Sequence, residues 1–469
     1  MDEKTILTNT AEGRLDEILT AQRRFFRSDA TREVAFRKQQ LRTFLRAFEA
    51  HEQELCDALW TDLHKSYEEA YLTEISLVKG EIRDALRHVG RWTRPERKHT
   101  PVTMLGSCSH IVKEPLGTAL IVAPWNYPVQ LLLSPLVGAI AAGCTAVLKP
   151  SPYVPSVALA LERMIRSAFD ESYIAVVQGN REVNRHLFSQ PYDLIFFTGS
   201  PALARTVAAA AAPHLTPLVL ELGGKSPCIV AKEADIELAA KRIAWGKTLN
   251  AGQTCIAPDY VLIHPDVKEA FIAAFAKAIH SLHGDDIRTQ KHYVRMVKDK
   301  AFTRVAGYLD EGTVRYGGHT DAAERFIEPT LLDGIQPGAD VLTTEIFGPV
   351  LPLITLEDPS RSFADQVVDY VVSREKPLAL YYFGRKDEGW DIVRRTSSGG
   401  CCINDTIMHI ANPNVPFGGV GNSGMGRYHN RESFEAFSHR RAVITSSTRI
   451  DLPFRYMPYK FFKWVKKMM

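Results

Sequence analysis

The sequence predicts an α/β fold built on parallel sheets. Short apolar runs that are typical of buried strands alternate with longer amphipathic runs that are typical of helices. The uncharged stretch 115–148 is interrupted by Pro124, Asn126, Pro128 and Pro135, so it indicates strand, loop, helix and strand rather than a membrane span. Strands that alternate with helices in this way favour a doubly wound parallel sheet.

The chain starts with a helical region and then begins to alternate. From about Leu15 to Arg91 apolar residues recur at helical spacing with Arg and Lys between them, and 107–113 is expected to be an extended arm. In the first α/β unit we predict strands at 118–123, 145–149, 173–178, 193–198 and 218–221, and helices at 129–142, 157–169, 183–188 and 202–212.

A second α/β unit is predicted after Gly223-Gly224. Its expected strands are 227–230, 260–264, 350–355 and 379–383, and its expected helices are 266–282 and 363–372. The vicinal pair Cys401-Cys402 is interpreted as part of a core strand. The glycine-rich segment 416–426 is predicted to be a loop where the backbone passes close to another group.

The composition is that of a globular protein with free thiols. Charged residues make up 24% of the chain and the net charge is +3, too balanced to indicate nucleic acid binding. Seven cysteines without a Cys-x-x-Cys pair do not form a disulfide framework, and no apolar signal segment follows Met1-Asp2-Glu3-Lys4. We therefore expect a cytoplasmic protein. No cluster of His, Cys, Asp and Glu has metal-ligand spacing, so no metal is predicted.

The loop Gly252-Gln253-Thr254-Cys255 carries the first candidate for chemistry. It follows a helix-like run, 236–250, and precedes the apolar run 261–263, so a reactive side chain can be exposed on a rigid base. We expect a polar, partly open setting to lower the pKa of Cys255 and make it a nucleophile. For this loop alone the alternative is a packed structural thiol, because free cysteines are often buried.

Polar residues at predicted strand ends are candidates to assist this thiol. Asn126, within Pro-Trp-Asn-Tyr-Pro, carries an NH2 group that can hold an oxyanion, or else it caps the next helix. Glu221, within Leu-Glu-Leu-Gly-Gly-Lys, can act as a general base, or else it pairs with Lys225. Lys149 ends another strand, at the sheet edge where α/β proteins bind ligands.

Two turns give weaker signals for ligand binding. Thr198, Gly199 and Ser200 follow a strand and open a helix at Pro201, which suits an anion at a helix N-terminus. A plain β-α turn is the alternative. Glu345-Ile-Phe-Gly-Pro-Val places a carboxylate and an aromatic ring before a strand, and alone it is an ordinary turn. The sequence contains neither Gly-x-Gly-x-x-Gly nor a P-loop motif.

Together these segments resemble the aldehyde dehydrogenase superfamily. The order is Pro-Trp-Asn-Tyr-Pro, Leu-Lys-Pro-Ser, Phe-Thr-Gly-Ser, Leu-Glu-Leu-Gly-Gly-Lys-Ser-Pro, Gly-Gln-Thr-Cys, Glu-Ile-Phe-Gly-Pro-Val and Pro-Phe-Gly-Gly-Val-Gly. Each segment is weak alone, but all of them in this order are specific, and the resemblance runs from about residue 15 to the end. The short N-terminus, Asn-Asp-Thr-Ile-Met-His at 404–409 and Ser-Gly-Met-Gly at 423–426 are similar to the class 3 branch, the fatty and aromatic aldehyde dehydrogenases.

The resemblance implies an architecture and a reaction. It implies a Rossmann-like dinucleotide-binding domain at 1–95 and 115–222, an α/β catalytic domain at 223–432, and a small β bridging or oligomerisation element with the C-terminal tail at 96–114 and 433–469. The implied reaction is the NAD(P)-dependent oxidation of medium- or long-chain aliphatic or aromatic aldehydes to carboxylic acids. It proceeds through a cysteine thiohemiacetal and a thioester. The arm at 107–113 and a strand at 440–446 would bridge a homodimer.

The resemblance also implies a role for each candidate residue. Cys255 would attack the aldehyde carbon, Asn126 and the Cys255 N–H would hold the oxyanion, and Glu221 would activate water. Tyr127 and Thr254 would bind the substrate. The residues implied to bind NAD or NADP are Trp125, Lys149, Thr198, Gly199, Ser200, Glu345 and Phe347.

Three positions depart from the family pattern. Ala204 stands where a glycine is frequent, and alanine is small enough for the helix to pack on the sheet. Asn422 replaces a common serine, which implies nothing further. Pro152 stands where a glutamate is common after Lys-Pro-Ser. Because proline has no carboxylate to repel a 2′-phosphate, we expect the protein to accept NADP as well as NAD, with no strong preference.

Other functions compete with aldehyde oxidation at this stage. A cofactor-independent cysteine hydrolase or acyltransferase would need a histidine to orient the thiol, and His409 is a distant candidate. A non-catalytic dinucleotide-binding protein would leave Asn126, Glu221 and Cys255 without a purpose. The tail 459–469, with Lys460, Lys463, Lys466, Lys467 and interleaved apolar residues, could contact a membrane surface peripherally instead of bridging subunits.

Overall fold

Helices and strands alternate along the chain in a computed structural model that describes residues 7–459 and 461–468. The helices are α1 Glu12–Arg27, α2 Val34–Ala50, α3 Glu52–Leu63, α4 Tyr67–Ala70, α5 Ser76–Trp92, α6 Pro128–Ala142, α7 Pro155–Ala168, α8 Arg181–Ser189, α9 Pro201–Ala211, α10 Ile236–Thr248, α11 Lys268–His283, α12 Asp299–Gly307, α13 Asp340–Thr343, α14 Phe363–Val372, α15 Lys386–Arg395, α16 Arg431–Ala436 and α17 Phe462–Met468.

The strands are β1 Glu96–Lys98, β2 Ser107–Pro115, β3 Thr118–Val122, β4 Thr145–Lys149, β5 Ile174–Val176, β6 Leu194–Thr198, β7 Leu218–Glu221, β8 Pro227–Val230, β9 Tyr260–Ile263, β10 Thr313–Tyr316, β11 Thr320–Asp321, β12 Phe326–Ile327, β13 Thr330–Asp333, β14 Val350–Thr355, β15 Ala379–Phe383, β16 Gly400–Ile403, β17 Gly424–Met425 and β18 Ser438–Ser446. The predicted α/β fold class with parallel sheets is confirmed.

The first sheet has the strand order β17-β7-β6-β3-β4-β5. Strands β3 to β7 run parallel, and β17 pairs antiparallel with β7. Strands β3, β4 and β6 are buried along their whole length, which explains their continuous apolar sequences. The chain order along this sheet reverses between β3 and β6. Parallel sheets bind ligands in the crevice beyond the carboxyl ends of the strands at such a reversal.

Helix α6 lies in the interior beside the first sheet. All of its residues are buried, and it packs against α5 and α16. This burial explains why the stretch 115–148 carries no charge. Within the residues that the structure describes, no helix combines the length and the apolar character needed to span a bilayer.

The second sheet has the strand order β10-β13-β14-β9-β8-β15-β16. Neighbouring strands run parallel from β13 to β16, and β10 is antiparallel to β13. Strand β16 contains Cys401 and Cys402, but it is an edge strand and both residues are half-buried. The prediction of a core strand at this pair is therefore wrong about burial.

A third sheet of three strands, β1-β2-β18, stands apart from the other two. Strand β18 pairs with β2 over its full length, from Ser438 opposite Pro115 to Ser446 opposite Ser107. Among the described residues β18 has no neighbour on its other edge.

The signal-segment prediction for 1–4 and the tail predictions for Lys460, Met469 and the side chains of 464 and 465 lie outside what the structure describes.

Candidate active site

Loops at the carboxyl ends of both parallel sheets converge on one cavity of about 1350 Å³. Parallel strands place their carboxyl ends at one edge of a sheet, so residues distant in sequence meet there. Most of the residues singled out from the sequence line this cavity, namely Trp125, Asn126, Thr198, Gly199, Ser200, Glu221, Cys255, Glu345 and Phe347.

A left-handed turn presents the cysteine to the cavity. Helix α10 ends at Thr248, earlier than the predicted 250, because Asn250, Ala251 and Gly252 have φ values of 51°, 51° and 71°. Such backbone costs residues with a Cβ about 1–2 kcal/mol each, so tertiary contacts must hold the turn. At Gly252 no side chain fits, because a Cβ there would lie 2.3 Å from the Gly348 carbonyl oxygen.

The buried side chain of Gln253 closes this turn. Its Nε2 donates to the carbonyl oxygens of Asn250 and Arg295, both at 3.1 Å. Its Oε1 accepts from the Val297 N–H at 3.1 Å. Gln253 therefore has a structural part in the Gly-Gln-Thr-Cys motif, and the partly exposed Cys255 follows it on the cavity wall.

Asn126 reaches the cysteine loop from the first sheet. Its Nδ2 donates to the Gln253 carbonyl oxygen at 3.0 Å. The backbone carbonyl oxygen of Asn126 accepts hydrogen bonds from Asn250 Nδ2 at 3.0 Å and from the Lys65 ammonium at 3.1 Å. An amide group anchored beside a thiol in this way has a second N–H that can donate to a developing oxyanion.

The alternative that Asn126 caps the next helix is wrong. The residue in the N-cap position of α6 is Tyr127, and Pro128 occupies the first turn. The first backbone N–H groups of α6, at Val129 and Gln130, instead bind the Glu74 carboxylate at 2.8 and 3.2 Å. The side chain of Asn126 is thereby left to the cysteine loop.

Glu221 ends β7 as a buried carboxyl group on the cavity wall. Burial raises the pKa of Glu221 well above its usual value, and a backbone hydrogen bond from Gly419 opposes this only in part. Among the described residues its Oε1 has no hydrogen-bond partner. The alternative of an ion pair with Lys225 is wrong, because the Lys225 ammonium binds Asp259 and two backbone carbonyls.

The setting of the cysteine thiol differs from the prediction. Burial raises the pKa of Cys255 above its usual range, and the Glu221 and Glu345 carboxylates raise it further. The backbone N–H groups of Cys255 and Ile256 favour the thiolate, but with a smaller effect. The expected lowering of the pKa is therefore wrong, because burial disfavours the thiolate and, in addition, two acidic side chains share the pocket with it.

The chain matches one protein family over nearly its whole length. The family model described as "Aldehyde dehydrogenase family" matches residues 4–443. The chain belongs to the aldehyde dehydrogenase family. Its reaction is the oxidation of an aldehyde, with NAD or NADP as the cofactor. The competing predictions of a cofactor-independent hydrolase and of a non-catalytic protein have no support.

Relatives at about 40% identity cover more than nine tenths of the chain. The 4,4'-diaponeurosporen-aldehyde dehydrogenase of Staphylococcus aureus is 43% identical over 446 residues, which is 94% of this chain and 96% of the relative. Mouse aldehyde dehydrogenase family 3 member B1 is 42% identical over 440 residues, 93% of each chain. The dimeric NADP-preferring aldehyde dehydrogenase of the dog is 39% identical over 449 residues, 95% of this chain and 98% of the relative. The predicted class 3 branch is confirmed.

A solved aldehyde dehydrogenase-like structure has the same fold. The substrate-bound state of Staphylococcus aureus AldH superimposes with a TM-score of 0.94 at 41% identity. The comparison covers 97% of this chain and 99% of that chain. The architecture described above is therefore that of the family.

Several cavity residues of this aldehyde dehydrogenase fit a dinucleotide. Thr198 Oγ1 is buried and has no partner among the described residues. Ser200 caps α9 and Pro201 occupies its first turn, so the N-terminus of this helix opens on the cavity as an anion site. Glu345 Oε1 accepts from the Gly224 N–H at 3.2 Å, and burial raises the pKa of Glu345 to about 8.

Two aromatic rings form a wall of the cavity. Trp125 and Phe347 meet edge to face, with ring centroids 5.4 Å apart and planes at 80°. Phe347 has a φ of 49°, and the preceding residue Ile346 is fixed on both sides. The Ile346 carbonyl accepts a hydrogen bond from the Arg304 side chain at 2.9 Å, and the Ile346 N–H donates to the Asp259 carboxylate at 3.0 Å. The ring of Phe347 is therefore held by a tightly bonded backbone.

Three of the predicted site residues lie behind the cavity wall. Lys149 is buried at the end of β4, where its ammonium donates to the Pro150 carbonyl at 2.7 Å and burial lowers its pKa to about 8. The hydroxyls of Tyr127 and Thr254 share a hydrogen bond of 2.7 Å. None of the three is among the cavity-lining residues, and their assigned roles stay predictions.

The His409 ring contacts Cys402 and Phe417. His409 Nδ1 lies 3.5 Å from the sulfur of Cys402, and its ring stacks on Phe417 at 5.8 Å. Burial lowers the pKa of His409 to about 4. Across 7–459 and 461–468, the structure has no group of three His, Cys, Asp or Glu side chains that could hold a metal ion.

The sequence did not reveal the buried ion pair behind Asn126. Lys65 and Glu74 are fully buried and lie 2.6 Å apart. Both residues belong to the N-terminal region, for which the sequence predicted only helical structure. Their spacing matches no motif, and nothing in the local pattern marks either charge as buried. Only the tertiary structure shows that they contact a site loop.

Proposed function

We propose that Cys255, Asn126 and Glu221 catalyse the oxidation of the aldehyde by NAD or NADP through a covalent intermediate. After the thiol proton has passed to solvent water, the Cys255 sulfur attacks the carbonyl carbon, a C–S bond forms, and the carbonyl electron pair moves to oxygen. The Asn126 amide and the Cys255 N–H stabilise this thiohemiacetal oxyanion. The hydrogen bond of 3.0 Å from Asn126 Nδ2 to the Gln253 carbonyl carries the proposal, because it fixes the amide beside the thiol loop.

Glu221 serves the second half of the proposed reaction. NAD or NADP supplies the hydride acceptor, and loss of hydride from the tetrahedral carbon leaves a thioester on Cys255. Glu221 takes a proton from water, the water oxygen attacks the thioester carbon, and the C–S bond breaks to release the carboxylic acid and the thiolate. Burial raises the pKa of Glu221 and so makes its carboxylate a stronger base than an exposed one.

Replacement of Cys255 by alanine tests the proposal. Without sulfur no C–S adduct forms, so we expect aldehyde oxidation to be abolished while NADPH binding, followed by its fluorescence, is kept. The matched control is Cys108→Ala, because Cys108 is an exposed thiol on β2. A Cys255→Ala turnover number within tenfold of the wild-type value would contradict the assignment.

We propose that the substrates are medium- or long-chain aliphatic or aromatic aldehydes. Cys255 packs against a large apolar core that includes Tyr127, Ile407 and Phe417, which favours an apolar substrate. The class 3 relationship supports the same choice. A survey of kcat/KM should favour octanal and benzaldehyde over acetaldehyde by at least tenfold. Equal values for all three would contradict the proposed substrate class.

We propose that the protein accepts NADP and NAD with no strong preference. Pro152, in the loop between β4 and α7, has no carboxylate that could repel a 2′-phosphate, and Lys149 at the end of β4 is the predicted cationic contact of the cofactor. The dog relative is named NADP-preferring, which supports use of NADP. We expect kcat/KM values for the two cofactors to lie within about tenfold of each other. An NAD preference above about a hundredfold, roughly 2.7 kcal/mol, would contradict this reading of Pro152.

We propose the domain layout that the resemblance implied, with 1–95 and 115–222 binding the cofactor and 223–432 carrying the cysteine. The separate sheets support it. The element 96–114 and 433–469 would join two subunits into a homodimer, which the exposed outer edge of β18 and the name of the dog relative support. We propose a cytoplasmic location, in keeping with free thiols at all seven cysteines. Fractionation of cells with an antibody tests it.

A weak peripheral membrane contact through the tail is a second role that we propose. Exposed apolar side chains precede and begin α17, namely Tyr456, Met457, Tyr459, Phe461 and Phe462. Exposed Lys463, Lys466 and Lys467 follow them. This combination suits an anionic interface. Co-sedimentation with anionic liposomes should be lost on deletion of 459–469, and equal sedimentation of both proteins would contradict the contact.

A further inference from the structure

The left-handed turn before Cys255 depends on a carboxylate from a distant helix. The backbone N–H of Asn250, the first residue of the turn, donates to Glu69 Oε1 at 2.8 Å. Glu69 belongs to α4 in the N-terminal helical region, and its side chain is half-buried. It is not among the residues that line the cavity, so any effect on the reaction must pass through the turn.

A π-helical turn lets the same short segment reach both catalytic loops. Tyr71–Ile75 joins α4 to α5, and the Ser76 N–H donates to the Tyr71 carbonyl, an i→i+5 bond. A π turn of this kind is a local insertion in an α-helix and is frequent at functional sites. Glu69, just before the turn, binds the cysteine loop, and Glu74, within the turn, binds the start of α6.

Glu74 and Lys65 complete this support from the side of Asn126. The Glu74 carboxylate binds the first N–H groups of α6 and pairs with Lys65 at 2.6 Å. The Lys65 ammonium in turn donates to the Asn126 carbonyl at 3.1 Å. Asn250 links this network to the cysteine loop, because its Nδ2 donates to the same Asn126 carbonyl at 3.0 Å. A displacement of Asn250 therefore moves the loops of both proposed catalytic groups.

We propose that Glu69 is a positioning residue for the nucleophile: by accepting the Asn250 N–H it holds the left-handed turn that sets the Cys255 sulfur for attack. The inference rests on the proposed role of Cys255 as nucleophile. The proposal requires that the side chain at position 69 provide a hydrogen-bond acceptor at this distance from the Asn250 N–H. A glutamine side chain provides such an acceptor and a leucine side chain does not.

Substitutions at position 69 separate the acceptor from mere packing. For Glu69→Leu we expect kcat and the rate of Cys255 alkylation by iodoacetamide, followed by mass spectrometry, each to fall at least tenfold. KM for the aldehyde and for the cofactor should stay within threefold. Glu69→Gln should keep at least a third of wild-type kcat. The control is Glu68→Leu, since Glu68 is exposed beside Glu69 and should leave kcat unchanged.

A second-site change tests whether the turn carries the effect. Ala251 is held at a φ of 51°, which glycine adopts without penalty. Ala251→Gly placed in the Glu69→Leu protein should therefore restore kcat at least fivefold relative to Glu69→Leu alone. If Glu69→Leu does not fold, Glu69→Asp replaces it, because the shorter side chain draws the acceptor away from Asn250.

The outcomes distinguish this inference from the proposed function. Any one of three results would overturn the role of Glu69. The first is a wild-type kcat and alkylation rate in Glu69→Leu or Glu69→Asp. The others are equal losses of kcat in the leucine and glutamine variants, and no rescue of kcat by Ala251→Gly. Turnover in Cys255→Ala would overturn the nucleophile itself. Loss of turnover in Cys255→Ala together with full activity in Glu69→Leu would overturn only the positioning role.

Discussion

At the scale of single residues, the site places an unusually basic thiolate among acidic groups. Burial and the Glu221 and Glu345 carboxylates all raise the pKa of Cys255. A raised pKa means that the neutral thiol dominates at and above neutral pH, and only the thiolate attacks an electrophile. The rate of alkylation should therefore rise with pH over a range where an ordinary thiol has already ionised.

This pH dependence can be measured with iodoacetamide. We expect the alkylation rate of Cys255 in the protein without added cofactor to rise about tenfold per pH unit from pH 8 to pH 10, because each unit multiplies the thiolate fraction tenfold while the pKa lies above the range. Glutathione, whose thiol is unperturbed, is the control and should level off within it. A Cys255 rate that levels off above about pH 8.5, the ordinary cysteine pKa, would contradict the raised value.

The sequence identifies some of these residues and not others for a physical reason. Cys255, Asn126 and Glu221 stand in short segments at strand ends, where type and position together indicate chemistry. The shift of the Cys255 pKa was predicted in the wrong direction, because this pKa depends on burial and on Glu345, which is distant in sequence. Lys65 was missed because its contact with Asn126 joins elements that no local pattern relates.

At the scale of elements, the cysteine turn has a geometry that only glycine completes at position 252. Gly252 combines a φ of 71° with a position where a Cβ would lie 2.3 Å from the Gly348 carbonyl oxygen. Backbone cannot move aside cheaply, so the loop after α10 would have to rearrange. The turn is therefore as dependent on this glycine as on the side chain of Gln253.

Gly252→Ala tests the turn by its stability. We expect a loss of about 3 kcal/mol or more, from positive φ and the clash with a carbonyl, seen as a lower urea midpoint for the cooperative loss of fluorescence. The control is Gly80→Ala within α5, where nothing lies within 4 Å of the added Cβ, and which should gain about 0.5–1 kcal/mol. Equal midpoints for the two variants would refute the clash.

Elements with continuous apolar sequences were predictable and the others were not. Strands β3, β4 and β6 were located within a residue or two, because burial on both faces leaves a clear pattern. Edge strand β10 and helix α12 were missed, since short, half-exposed elements lack such runs. The π turn at Tyr71–Ile75 has no distinctive sequence pattern.

At the scale of the whole molecule, strand β18 has one edge without a neighbour among the described residues, and the proposed homodimer would use this edge. The strand is mostly exposed and carries the apolar Ile444, 47% exposed, between Val443 and Thr445. A long exposed edge strand is a template for pairing with another chain. The proposed homodimer would cover it.

A charge on that edge tests the dimer. Wild-type protein should elute in light-scattering chromatography at twice the chain mass of 52.5 kDa. Ile444→Glu should shift it to the monomer, because a buried unpaired carboxylate is costly in an interface. The control is Val372→Glu at the end of α14, an exposed apolar residue away from the third sheet. A monomeric wild type, or a dimeric Ile444→Glu, would contradict the proposed interface.

The central claim also belongs to the whole molecule: the first sheet supplies the base, Glu221, and the second supplies the nucleophile, Cys255. Stopped-flow absorbance of Glu221→Gln tests it most directly, because the base acts only after hydride transfer. We predict a burst of NADPH approaching one per subunit, followed by turnover at least a hundredfold slower than wild type. A variant that binds cofactor but shows no burst, or that turns over within tenfold of wild type, would contradict the account.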